Sequence, residues 1–152
     1  MEQWLQEEAE LQFTSFHSDD AYAIGSELVA YGKQQQLNIG IDIFICGKQV
    51  FHYLANGTIA DNDNWLRRKR NTVLHFGHST MFVFHKQKEK QSLLEEKYGL
   101  SLHDYTITPG GFPIQIKNTG VIGALCVSGL SAQEDHELCV LALRKHLSNQ
   151  AK

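Results

Sequence analysis

Residues 110–130 read GGFPIQIKNTGVIGALCVSGL, and the interpretation of this stretch decides the architecture. A glycine pair leads into an alternating run, Phe112 to Ile116. Lys117-Asn118-Thr119-Gly120 supply turn chemistry, and Val121 to Val127 form a second, more apolar run. Asn and Gly tolerate the positive φ that a tight turn needs, so a β-hairpin is expected. Immediately afterwards, Ser131-Ala132-Gln133-Glu134 places a glutamate three residues beyond a serine, the pattern of a capping box. It predicts a last helix from Ala132 to about Leu147, amphipathic through Leu138, Leu141, Ala142 and Lys145.

Upstream lies a second hairpin. In NIGIDIFIC (38–46), Ile39, Ile41, Ile43 and Ile45 fall on one face and Asp42, Phe44 and Cys46 on the other. Gly47-Lys48 is the expected turn, and Gln49 to Ala55 the return strand. Two helices precede it: an amphipathic one at about 2–13, carrying Trp4, Leu5, Glu8 and Leu11, and a second capped by Ser18, with Asp19 and Asp20 in its first turn. Between the hairpins, Asp61 to about Phe76 reads as a helix with Asp61 and Asp63 as its caps. Gly77 interrupts it, and Ser79 can cap a continuation from Thr80 to Lys90, followed by a helical turn near Leu93 to Tyr98. LHDYTIT (102–108) is a candidate fifth strand in an otherwise loop-like region. The order α-α-β-β-α-α-β-β-α predicts an α+β architecture: one antiparallel sheet of about five strands with helices packed on it.

At 152 residues, 42% apolar and 20% charged, the chain has the size and composition of one soluble globular domain spanning residues 1–152. No run approaches the ~20 apolar residues of a membrane span, and MEQWLQEEAEL is acidic, so neither a membrane partner nor a targeting segment is expected and the location is read as cytoplasmic. Cys46, Cys126 and Cys139 are odd in number and sit in apolar runs, which predicts buried free thiols. The net charge of −3 conceals an asymmetry. Residues 1–30 carry seven acidic side chains and no Lys or Arg, whereas residues 65–97 carry eight basic ones against three glutamates. This implies either a basic face for a small anionic ligand or complementary contact between those segments, within or between subunits. With an acidic chain and no recognised binding motif, nucleic acid is not expected as a partner.

Gly110-Gly111 can expose backbone N–H groups as an anion-binding nest, or simply make a tight entry into the strand. Arg68 is the best single candidate for holding a carboxylate or phosphate, because its planar fork matches such groups; an inter-helix or inter-subunit salt bridge is the alternative. Lys69 adds charge beside it. Asp63 and Arg68, five residues apart, lie on different sides of a helix and do not favour each other. Asp135 and His136 stand in the first turn of the last helix. They can serve acid–base chemistry or structure, but adjacent helical residues point about 100° apart and form no dyad. Eight histidines invite a metal or haem reading. His75 and His78 share a face only if Gly77 leaves the turn intact, and His85 continues the series irregularly. No third ligand is placed by spacing and HExxH is absent, so no metal site is expected. One histidine can be an axial haem ligand, without CxxCH attachment. Nucleophile-elbow, P-loop and Rossmann motifs are likewise absent.

PGGFPIQIKNTGVIGALCVSGLSAQEDHELCVLAL resembles the signature of the haem-degrading domain group, which includes GlcG-like proteins and the C-terminal domain of PduO. GTIADNDNWLRRKRNTVLHFG resembles more narrowly an uncharacterised-protein branch of that group, and together the blocks extend the resemblance over about residues 38–147. It implies a profilin-like two-layer sandwich, self-association into a homo-oligomer, and haem as a possible cofactor. Pro109 stands where the branch often has His before Gly-Gly, which removes any role for that imidazole. Three functional readings follow. One is a domain holding haem or another anionic compound through Arg68, Lys69, Gly110, Gly111, Asp135 and His136. The others are a haem-degrading enzyme in which the porphyrin iron does the chemistry, and an oligomeric scaffold.

Overall fold

In the computed structural model, which describes residues 1–151, the late hairpin forms as expected. β4 (Gly111–Ile116) and β5 (Gly120–Ser128) pair antiparallel, and the turn uses Asn118 at φ 63° and Gly120 at φ 122°. The earlier hairpin pairs β2 (Gly40–Ile45) with β3 (Lys48–Leu54). Its turn is Cys46-Gly47, both at positive φ, one residue earlier than expected. Cys46 is therefore exposed at the turn, whereas Cys126 and Cys139 are buried free thiols. β5 joins the hairpins by pairing with β2.

A fifth strand completes the sheet at its other edge, but it comes from Gln12–Phe13 (β1) and not from residues 102–108. β1 runs parallel to β4, giving the order β1-β4-β5-β2-β3 in a mixed sheet. Residues 102–108 fail to form a strand because side chains of α3 (Ala60–Phe76) take their backbone groups. Arg67 bonds His103 O, Arg68 bonds Tyr105 O, Asn71 bonds Asp104 O and Thr72 bonds Thr106 O. A carbonyl row satisfied by a helix has no need of a neighbouring strand.

Helices cover both faces of this α+β sandwich. On one face α2 (Ser18–Gln34) and α6 (Ala132–Gln150) pack Ala21, Ile24, Leu28, Leu138 and Leu143 onto Ile41, Ile43, Leu125 and Val127. On the other, Leu66 and Val73 of α3 meet Ala124 and Cys126. Asp42 points to that second face and is fully buried, with its carboxylate accepting from Arg70 (2.8 Å), Gln49 (2.6 Å) and His52 (3.1 Å). α1 (Glu2–Glu10), α4 (Thr80–Lys86) and α5 (Leu93–Tyr98) close one end. The expected caps hold at Ser79, which accepts from Phe82 N, and at Ser131, which accepts from Glu134 N. At α2 the helix instead begins after His17, whose N–H donates to Asp20. Among the described residues no helix is long and apolar enough to cross a membrane.

Gly123, in mid-β5 between Ile45 and Ile114, lies so close to β2 that a Cβ would collide with the carbonyl oxygen of Phe44. Gly123→Ala should cost about 3 kcal/mol or more. Urea unfolding should show a lowered midpoint at unchanged slope; an unmoved midpoint would contradict this strand spacing.

Candidate functional site

Two depressions open on either side of a rim formed by Thr108 and Ala132. The smaller, about 300 Å³, is lined by Asn62, Trp65, Lys69, Ser128 and Asp135 among others. The larger, about 490 Å³, is lined chiefly by Trp4, Met81, Phe84, His85, Pro109 and Gln133.

The start of α3 sets the smaller depression. Asn62, third residue of the helix, accepts from Ile59 N (3.0 Å) and donates to Ser128 Oγ (3.2 Å), so it both caps α3 and ties it to the end of β5. The expected caps Asp61 and Asp63 do not do this; Asp63 instead faces His52 Nε2 at 3.2 Å. Two turns further, Lys69 enters the protein. Its side chain is 3% exposed, and Nζ donates to Val127 O (2.9 Å) and to Asp135 Oδ2 (3.1 Å). The Asp135 Oδ1 accepts from Leu130 N (3.0 Å). Burial pushes the Asp135 carboxyl above the usual carboxylate range, against the pull of the Lys69 ammonium and the Leu130 amide. Lys69 and Asp135 thus come together, and each satisfies the other.

Gly110 is required by that pair. At φ 130°, a Cβ on it would lie 2.5 Å from Lys69 Nζ and 2.7 Å from Val127 O. The Gly111 amide is not bare, because it donates to Thr80 Oγ1 at 2.9 Å. A nest of two free amides is therefore not formed, and the tight-entry reading of the glycine pair holds. Arg68 lines neither depression; its guanidinium lies 4.5 Å from the centre of the ring of Trp65, which lines the smaller one, and its Nη2 donates to Tyr105 O at 3.2 Å. Its Nε is buried without a partner. Burial, with Arg67 adjacent, pushes the Arg68 pKa down from its ordinary value, so an added anion would be favoured there.

His136 diverges from Asp135, as helical geometry requires, and is almost fully buried. Its Nε2 donates to Glu7 Oε1 of α1 at 2.8 Å, and its Nδ1 has no partner. It lies edge-on to Trp4 at 5.4 Å between ring centres, while Trp4 stacks on His85 at 5.4 Å and 11°. Sequence reading did not find Trp4, Glu7 and His85 as neighbours of His136, since no local pattern joins residues so far apart. His75 and His78 do not converge: His75 packs against Phe76 and Tyr105, and His78 donates to Glu8. Among the described residues, no group of three or more His, Cys, Asp and Glu side chains could hold a metal ion. Burial pushes the Cys126 and Cys139 thiols up, leaving them protonated and unreactive.

Comparison with known proteins agrees with this architecture. The family described as haem degrading protein HbpS-like matches residues 16–144. A UPF0303 protein of Serratia proteamaculans (strain 568) is 40% identical over 141 residues, covering 93% of this chain and 88% of its own. The crystal structure of the Ybr137w protein superposes with a TM-score of 0.88 at 29% identity, covering 96% of this chain and 87% of that one. A PduOC:heme complex superposes with a TM-score of 0.69 at 16% identity, covering 86% and 94%; at that identity the likeness concerns the fold.

Lys69→Met leaves Asp135 buried without its counter-charge and should destabilise the protein by about 3–5 kcal/mol at neutral pH. A carboxyl whose folded-state pKa is raised contributes stability fully below its unfolded value of 3.8 and loses it as pH rises through the folded value. Losing Lys69 raises that value further, so the gap between variant and wild type should narrow on acidification. Urea titrations at neutral and mildly acidic pH check this; a gap that widens at low pH would contradict it.

Proposed function

Since the chain belongs to the HbpS-like haem-degrading protein family, we propose that it binds a small anionic ligand, haem foremost, at the paired depressions around Thr108 and Ala132. The observation that carries this reading is a buried guanidinium N–H without a partner, at Arg68, beside the aromatic wall that Trp65 gives to one depression. A ligand carboxylate reaching Arg68 would satisfy that donor and add a charge-assisted bond. Lys69 and Asp135 line the smaller depression without offering free charge, Gly110 makes room for the Lys69 ammonium, Gly111 is bonded to Thr80 and His136 to Glu7.

The larger depression is where a flat macrocycle would sit. Its volume of about 490 Å³ lies in the range of small-molecule sites, and Trp4, Phe84 and Met81 supply apolar walls. When bound, the iron porphyrin would bring its own redox chemistry, and the protein's part is to hold it, orient it and exclude water. Self-association into a homo-oligomer belongs to the same proposal, with exposed Tyr31 and Leu141 as apolar candidates for a shared surface. Protonated buried thiols at Cys126 and Cys139 suit work in a reducing cytoplasm.

Haemin titrated into the protein should give a saturable, shifted Soret band. Arg68→Ala should weaken that binding about tenfold or more while size-exclusion elution stays unchanged. A Soret band identical to free haemin at all ratios would defeat the proposal, and loss of assembly rather than uptake in Arg68→Ala would favour a scaffold.

A further inference from the structure

The helix that closes the larger depression lies outside the residues matched by the family, which begin at 16. Glu7 and Trp4 stand three apart on α1, so they share a face. Glu7 fixes the buried His136 by the 2.8 Å bond to Nε2. His136 stands edge-on to the Trp4 indole, and the indole stacks nearly parallel on the His85 imidazole, with 11° between the two planes. Phe84 adds an edge-to-face contact to the same imidazole at 5.3 Å. These ring contacts hold His85 from its sides. Among the described residues its nitrogens take part in none of the hydrogen bonds or ion pairs that engage His52, His78, His136 and His146. His85 is thus an imidazole with a fixed plane, uncommitted nitrogens and a place on the wall of the larger depression. Met81, one turn back on α4, extends the soft, apolar surface beside it.

On the reading that this chain takes up haem, we infer that His85 is the axial donor to the porphyrin iron, and that Trp4 is the positioning residue that fixes the plane of its ring. Imidazole is the commonest protein donor to haem iron, and its orientation is usually set by a neighbour. Here that neighbour is an indole stacked on the ring, itself buttressed by His136 and Glu7. For the carboxylates of the ligand, the guanidinium of Arg68, stacked on Trp65 of the depression across the Thr108–Ala132 rim, has a buried N–H without a partner.

The test compares haemin with metal-free protoporphyrin IX, followed by Soret absorbance and by porphyrin fluorescence. His85→Ala and His85→Gln should each weaken haemin binding about tenfold or more and shift the Soret band. Protoporphyrin IX affinity should stay within about twofold of wild type, since apolar burial of the macrocycle does not need the iron. Free imidazole added to His85→Ala should restore the wild-type spectrum. Trp4→Ala should give a mixed or shifted Soret band, and Trp4→Phe should recover a single one. If wild type binds neither porphyrin, the haem reading itself falls and this inference with it. If wild type binds both, and both His85 variants keep its Soret position and haemin affinity, the inference is overturned while the haem reading stands. Equal loss of both porphyrins in the His85 variants, with no rescue by imidazole, overturns it too, because the residue would then be structural.

Discussion

An ammonium and a carboxylate buried side by side, Lys69 and Asp135, couple the two helical layers around the end of the central strand. α3 lies on one face of the sheet and α6 on the other, so the pair fixes their relative position at the point where β5 ends and β4 begins. Taking both charges out of water costs several kcal/mol per ion, and their attraction offsets this only with good geometry and further hydrogen bonds. Val127 O and Leu130 N supply those bonds. The absence of a side chain at Gly110 makes room for the ammonium, and the hairpin entry follows from that requirement.

The same constraint redirects the charge asymmetry of the chain. The basic block of α3 is mostly spent inside the molecule: Lys69 on Asp135, Arg70 on Asp42, Arg67 on Asp104. The acidic N-terminus is spent too. Glu7 accepts from His136, Glu8 from His78 and the Ser79 amide, and Glu10 from Arg144. None of these ion pairs joins a Lys or Arg of residues 65–97 to a carboxylate of residues 1–30, so each charged block is answered chiefly from elsewhere in the chain, and the Arg68 Nε is left as a buried donor without a partner. α1 is held on by carboxylates rather than by a broad apolar face, which lets it present Trp4 to a hollow instead of burying it in the main core.

Much of the fold was legible because it is decided locally. Alternating isoleucines, turn residues with positive φ, and serine caps act within a few residues of themselves, so both hairpins and the starts of α4 and α6 could be read directly. The fifth strand was misplaced for the opposite reason. Gln12–Phe13 is a strand only because β4, a hundred residues later, offers it an edge, whereas Tyr105 and its neighbours look strand-like but have their carbonyls claimed by α3.

By itself the sequence determined an α+β sheet with two hairpins and the helix boundaries near its serine caps. Only the tertiary structure decided what particular groups face: that Lys69 is neutralised, that Thr80 occupies the Gly111 amide, and that Trp4 and His85 stand together. The physical reason is range. Propensity and periodicity act over one or two turns of chain, but the burial and pairing of a charge depend on which distant segments fold against it.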